Sequence, residues 1–274
     1  MRAGFSFAAA LLATQAVGAG AIPAYISTAV ADPSRPDTDR ERDAGRKPAE
    51  VVAFAGIQPG DKVADFMPGN GYFTKIFCKI VGDSGHVYAI VVPRNSPAGS
   101  PPAAEPSANA CTNVTASTLQ VEKRSAPELW SSNDDPGVVY EYSSLIPAAE
   151  NFAAPEPLDL IWTSENYHDL HNERFGAPNM RMVNKALLKA LKPGGILMIE
   201  DHAAAAGSGA RDTNTLHRIE AREVKREVIA AGFEFVGESK VLREARDPHT
   251  AKAHELHDKT DRFLLKFRKP GGRL

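Results

Sequence analysis

The run Lys62-Val-Ala-Asp-Phe-Met-Pro-Gly-Asn-Gly-Tyr-Phe-Thr74 constrains the fold more than any other part of the chain. Apolar residues from Val63 to Phe66 predict a short strand, Gly69 and Gly71 predict a tight turn, and the spacing from Tyr72 to Val81 predicts a helix that stops at Gly82. A strand feeding a helix through a glycine turn is the opening unit of an α/β sheet. It can also hold a ligand. Glycines let backbone N–H groups come close, the helix offers the positive end of its dipole, and Asp65 at the strand end can take a polar ligand group. Turns of this kind also serve purely structural roles, so the rest of the chain has to decide.

Strands and helices continue to alternate downstream. His86 to Val92 reads as a second strand, Leu158 to Thr163 as a fourth and Ile196 to Glu200 as a fifth, with Met180 to Leu191 as an amphipathic helix and Lys192-Pro-Gly-Gly195 as a turn. The third strand is either Leu119 to Val121 or Val138 to Tyr142, inside a Ser-, Ala- and Pro-rich stretch at 93–157 that reads as an irregular insertion. A helix from about Leu216 to Ala231, closed by Gly232, precedes strands at Phe233 to Val236 and Phe263 to Phe267. Upstream, Pro48 suits the first turn of a helix that runs to Ala55 and stops at Gly56, while the charged, Pro-containing stretch 32–47 reads as a linker or arm. This order implies a single α/β domain over 48–270, an open Rossmann-like sheet with helices on both faces and right-handed crossovers.

The first 31 residues are different. After Met1 and Arg2 no charge occurs until Asp32, and Phe5 to Val17 is rich in Ala, Leu and Phe. With small residues at Ala19-Gly-Ala21 and Ala29-Val-Ala31, this segment reads as a secretory signal peptide, which predicts an exported, periplasmic protein. The alternative is an uncleaved anchor, which would be the protein's attachment to a membrane. Export permits a disulfide between Cys78 and Cys111, although Cys78 falls in an apolar helix where a buried thiol serves equally well. A formal net charge of -2 without a basic stripe argues against nucleic acid as a partner. The basic residues from Arg218 to Lys225 alternate with Glu220 and Glu223 and read as a solvated helix face. No feature assigns an oligomeric state.

Open α/β sheets bind ligands beyond the C-terminal ends of their strands. Those ends carry Asp65, then Ser164-Glu-Asn-Tyr-His-Asp-Leu-His171, then Glu200-Asp-His202. Folding needs few polar residues at such places, so Tyr167, His168, Asp169, Asp201 and His202 are candidate catalytic residues, with a His-Asp pair as general base. The same groups suit a metal-dependent hydrolase that uses His168, His171, Asp201 and His202. The spacing lacks the Glu-containing zincin pattern and no cysteine pair supports it, so no metal is expected. His249, His254 and His257 read as exposed residues or part of a lid.

In their order these motifs resemble the class I S-adenosylmethionine-dependent methyltransferases, and more closely a group of exported, predicted methyltransferases of unassigned substrate. The residues that carry the resemblance are Arg46-Lys-Pro-Ala-Glu50, Asp65 to Thr74, Trp162 to Asp169, Leu191-Lys-Pro-Gly-Gly195 with Glu200-Asp-His202, Leu216-His-Arg-Ile-Glu220, Ala231-Gly-Phe233, and Thr260 to Pro270. The resemblance implies a seven-stranded sheet whose last strand is antiparallel. It also implies S-adenosyl-L-methionine bound by Asp65, Pro68, Gly69, Gly71, Tyr72, Ser164 and Glu165, with a small-molecule methyl acceptor beside Tyr167, His168, Asp169, Asp201 and His202. Two departures weaken the cofactor site. Met67 stands where the first glycine of the pattern is usual, and Val91-Val92-Pro93 end the second strand without the acid that binds the ribose, a loss of roughly 1.5–3 kcal/mol. A binding protein that keeps the fold and has lost the chemistry is the alternative from another class.

Overall fold

The computed structural model describes residues 21–91, 111–118, 129–132, 135–141, 149–150, 152–172 and 179–271. Its strands are β1 (Lys62–Phe66), β2 (His86–Val91), β3 (Val114–Thr118), β4 (Leu129–Ser132), β5 (Asp135–Glu141), β6 (Leu158–Ser164), β7 (Leu191–His202), β8 (Glu234–Ser239) and β9 (Arg262–Arg268). Seven of them form one sheet in the order β3-β2-β1-β6-β7-β9-β8, while β4 and β5 pair separately. Within the seven-stranded sheet β9 runs antiparallel to both neighbours, and the other pairings are parallel. The order reverses between β1 and β6, which opens a crevice above the ends of those strands.

Helices α1 (Ala24–Val30), α2 (Asp37–Arg40), α3 (Asp43–Arg46), α4 (Pro48–Ala55) and α5 (Tyr72–Val81) precede α6 (Met180–Ala190) and α7 (Ala221–Ala230). Alternate residues of a strand face opposite sides, so each sheet face gathers its own core. Leu160, Trp162 and Met198 pack with α1, α4 and α5. Ile161, Leu197 and Ile199 pack with Val183 and Leu187 of α6 and Val224 and Val228 of α7. Trp162 is fully buried with its ring 4.7 Å from Phe73 and 5.4 Å from Phe77. Each such side chain contributes about 1.5–3 kcal/mol on burial.

Several elements depart from the sequence expectations. The third sheet strand is Val114–Thr118, which pairs with β2 at the sheet edge; its Thr- and Ser-rich composition hid it from an apolar count. Leu119 to Val121 lies outside the described residues. Most of Val138 to Tyr142 falls in β5, which pairs with β4 instead of entering the main sheet. The helix expected from Leu216 begins at Ala221, because His217 has φ 53 and Ile219 bridges to Ala203 in extended form. Arg218 is accordingly no solvated residue: it is fully buried and pairs with Asp247 at 2.8 Å.

The N-terminal boundaries differ too. Ala24–Val30 is helical, and Ile26 and Ala29 are buried in the same core as α4 and α5. Residues 32–47 hold α2 and α3 rather than an irregular linker. Cys78 and Cys111 form a disulfide that ties α5 to the segment entering β3. Among the described residues no helix is long and apolar enough to cross a membrane.

Candidate active site

The turn after β1 is shaped by backbone torsions. Gly69 and Gly71 adopt φ 56 and 74, and Gly71 caps the N-terminus of α5. Met67, the residue in place of a glycine, has φ 62 and still donates its N–H to Ile90 O at 3.0 Å. The backbone keeps the left-handed path that glycine takes freely, at a cost of about 1–2 kcal/mol for a residue with a Cβ. Asp65 is buried just before it and accepts a hydrogen bond from Thr74 Oγ1 at 2.6 Å. Burial pushes its carboxyl up to about 6, against the Thr74 bond and the charge of Arg46.

The end of β6 makes a matching turn. Glu165 has φ 59 and its N–H donates to Glu200 O at 2.9 Å, while Asn166 Nδ2 donates to Met67 O at 2.8 Å and so links the two strand ends. The Glu165 carboxylate accepts from Arg46 Nη2 at 2.6 Å and Arg262 Nη1 at 2.8 Å. Burial opposes its charge, but Arg46, Arg262 and Arg42 outweigh burial and hold the group down at about 2. Arg262 also bonds Glu200 Oε1 at 2.8 Å and Gly45 O at 2.7 Å. Burial raises the Glu200 carboxyl against the pull of Arg262, and the charge on Glu165 adds to the rise. Arg46 lies over the Tyr72 ring at 4.6 Å, and Arg42 forms a two-pronged pair with Asp258 at 2.9 Å.

These groups enclose a cavity of about 290 Å³ lined by Asp65, Met67, Pro68, Gly69, Tyr72, Ser164 and Glu165, with Asp39, Arg42 and Arg46 supplied by α2, α3 and the turn between them. A second cavity of about 310 Å³ adjoins it and shares Arg42 and Glu165 as wall. The second is lined by His168, Asp169, His202, His217, His254 and His257.

Asp201, fully buried, organises the second cavity. Its carboxylate accepts from the backbone N–H groups of His168 and His202 and from His168 Nδ1, each at 2.7 Å. With Nδ1 donating, the neutral His168 ring carries its lone pair on Nε2. His202 Nδ1 lies 2.8 Å from Thr260 Oγ1, whose hydroxyl donates to His257 O at 3.4 Å, so neutral His202 likewise carries its lone pair on Nε2. Burial drives His202 down to about 4.

The residues singled out from the sequence divide into three sets. Asp65, Pro68, Gly69, Tyr72, Ser164 and Glu165 line the first cavity, with Gly71 at the head of α5, and His168, Asp169 and His202 line the second. Asp201 lies beneath as a support rather than on the wall. Tyr167 is a correction: it is fully buried, its hydroxyl donates to Glu227 at 3.1 Å and accepts from Asn184 at 2.8 Å, and burial raises its pKa well above normal. His171 also turns toward Glu227, at 2.9 Å. His254 and His257 are exposed at the rim, whereas His249 bonds Asp261 at 2.9 Å. Arg42, Arg46, Asn166, His217 and Arg262 were not among the sequence candidates. Arg46, Asn166, His217 and Arg262 do stand within the stretches that carry the resemblance, which was the available signal.

No family model matches the sequence, and no curated protein matches it. Solved structures do match in fold. A SAM-dependent methyltransferase from Aquifex aeolicus aligns over 86% of this chain and 98% of its own at 17% identity and TM-score 0.51. CrArsM, an arsenic (III) S-adenosylmethionine methyltransferase from Chlamydomonas reinhardtii, aligns over 92% and 76% at 15% identity and TM-score 0.51. The [4+2]-cyclase SpnF aligns over 85% and 82% at 15% identity and TM-score 0.52. The chain therefore has the Rossmann-like fold of SAM-dependent methyltransferases, a fold that also appears in a cyclase.

Proposed function

We propose that this protein transfers a methyl group from S-adenosylmethionine to a small-molecule acceptor held in the histidine-lined cavity. The observation that carries the reading is the pair of adjoining cavities at the reversal of strand order, sharing Arg42 and Glu165 as wall. Bound there, the cofactor supplies an electrophilic methyl group on a sulfonium. Its methionyl end fits the first cavity, which offers the α5 N-terminus, the buried acid Asp65, the cations Arg42 and Arg46, and the polar residues Ser164 and Asn166. The ribose end fits less well, since β2 closes in Val91 with no carboxylate. An affinity weaker by roughly tenfold follows.

On the acceptor side, His202 Nε2 presents a lone pair that relays the acceptor's proton to solvent rather than storing it. It stays neutral to well below physiological pH, and its other nitrogen is fixed on Thr260. His168, held by Asp201, and Asp169 orient the acceptor's polar group. Calorimetry with S-adenosylmethionine and S-adenosylhomocysteine tests the reading: saturable binding of both is expected. No heat at millimolar ligand would sink it and leave a protein that keeps the fold without the cofactor.

Export to the periplasm is part of the proposal. It is supported by the uncharged leader and by the Cys78–Cys111 pair, which suits an oxidising compartment. Processing then falls after Ala21 rather than Ala31, because a later cut removes the buried Ile26 and Ala29. Fractionation followed by N-terminal sequencing checks both points; a mature chain that begins at Asp32 contradicts the placement.

A further inference from the structure

We propose that His168, Asp169 and His217 bind one divalent transition-metal ion of the zinc type in the second cavity. The proposal deepens the functional reading above and rests on it for the identity of the acceptor, though not for the site itself. Three observations converge on it.

One ligand atom from each of the three residues lies within 4.8 Å of the others. His168 Nε2 is 3.5 Å and His217 Nδ1 3.7 Å from Asp169 Oδ1. A tetrahedral ion with bonds of about 2.0–2.1 Å spaces its ligand atoms about 3.4 Å apart, so these two separations need only small adjustment. Two imidazoles and one carboxylate form a donor set that suits zinc and its first-row neighbours.

The second observation is the support beneath those residues. His168 Nδ1 is fixed by the buried Asp201 carboxylate at 2.7 Å, which leaves Nε2 as the atom facing Asp169. Asp169 Oδ1 in turn accepts from Nδ2 of the fully buried Asn172 at 2.8 Å. Carboxylates and amides placed behind ligating side chains in this way set ring orientation and basicity in metal sites.

The third is access. His168, Asp169 and His217 all line the cavity, and three protein ligands leave a tetrahedral ion one open position. That position admits an acceptor bearing a hydroxyl or a thiol, which the ion binds as the oxygen or sulfur anion while the proton passes by way of His202 Nε2 to solvent in the cavity. The acceptor class narrows accordingly to small alcohols, phenols or thiols. The sequence-level alternative built on His168 and His171 fails as a ligand pair, since His171 is held by Glu227.

The test uses the mature protein, stripped with a chelator and titrated with Zn²⁺ by calorimetry and with Co²⁺ by visible absorption. One equivalent of either ion is expected, with Co²⁺ showing the intense d–d bands of a low-symmetry site. Asp201→Asn should weaken binding by roughly tenfold or more, and Asp169→Asn and His217→Ala should weaken it further. His86→Gln, remote on β2, should not change it. Circular dichroism on each variant separates a lost site from a lost fold. The proposal is overturned if the wild type takes up neither ion, or if Asp169→Asn and His217→Ala fold and bind Zn²⁺ as the wild type does. Cofactor calorimetry run alongside keeps the two readings apart. Metal binding without S-adenosylmethionine binding upholds the site and removes methyl transfer, whereas cofactor binding without metal does the reverse.

Discussion

The glycine turn after β1 and the histidine cavity adjoin each other yet are built in opposite ways. The turn is local: Asp65, Thr74, Gly69 and Gly71 lie within ten residues, and its torsions and hydrogen bonds are satisfied mostly by its own neighbours. The cavity draws His168 from the end of β6, His202 from the end of β7, His217 from the residue after a helical turn, and His254 and His257 from the approach to β9. A local unit tolerates changes elsewhere. An assembled one depends on every segment reaching its place.

The largest test of that contrast is Arg262, whose guanidinium joins both regions through Glu165 and Glu200. Arg262→Met leaves the fully buried Glu200 carboxylate without its cation and Glu165 with Arg46 alone, and a loss of about 3–5 kcal/mol is expected in urea denaturation. Both cavities should fail together. If only one is disturbed, the wall between them is less shared than the contacts indicate.

Next in size is the disulfide, whose cysteines are 33 residues apart. Cys78→Ser combined with Cys111→Ser should lower stability by about 3–4 kcal/mol through the larger entropy of the unfolded chain. Its effect belongs to the α5 side, so the His168 imidazole signals in an NMR titration should hold their positions.

Asp65→Asn works in the other direction. The carboxyl titrates at 3.8 when unfolded and at about 6 in the fold, so the folded state holds the proton more tightly. Stability therefore falls as pH rises from about 4 to about 6 and stays lower above that range. The amide removes the fall, and near neutral pH a gain of about 2–3 kcal/mol is expected in thermal unfolding. Cofactor affinity should drop in the same variant, which separates what the fold prefers from what the ligand needs. The smallest effect is Gly71→Ala, which forces a Cβ into φ 74 and should lower stability by about 1–2 kcal/mol.

The same contrast governs what could be read from the sequence. Helix α5 runs Tyr72–Val81 as its apolar spacing and Gly82 predict, and the turn before it is contiguous, so residue order alone displays it. The antiparallel last strand followed from the resemblance, and β9 runs that way. The third strand did not emerge, because an edge strand of Thr, Ala and Ser carries little apolar signal. Tyr167 and His171 were placed near the chemistry by adjacency to His168. The single 3-10 turn at His168–His171 sends His168 and Asp169 to one side and His171 to the other. Residue order alone did not single out His217, because its approach to Asp169 depends on its own left-handed backbone (φ 53) at the end of the preceding turn.

The contacts of Arg42 with Asp258 and of Gly45 O with Arg262 join residues 216 and 217 positions apart. During synthesis α3 emerges among the first structured segments and its partners among the last, so these contacts of the first cavity cannot form until nearly the whole chain has been made. A chain cut short before β9 lacks one of the two bridges that hold Glu165 to the arm. On the function proposed above, cofactor binding at the first cavity should report on completion of the whole polypeptide, and a product truncated before β9 is expected to fail to bind.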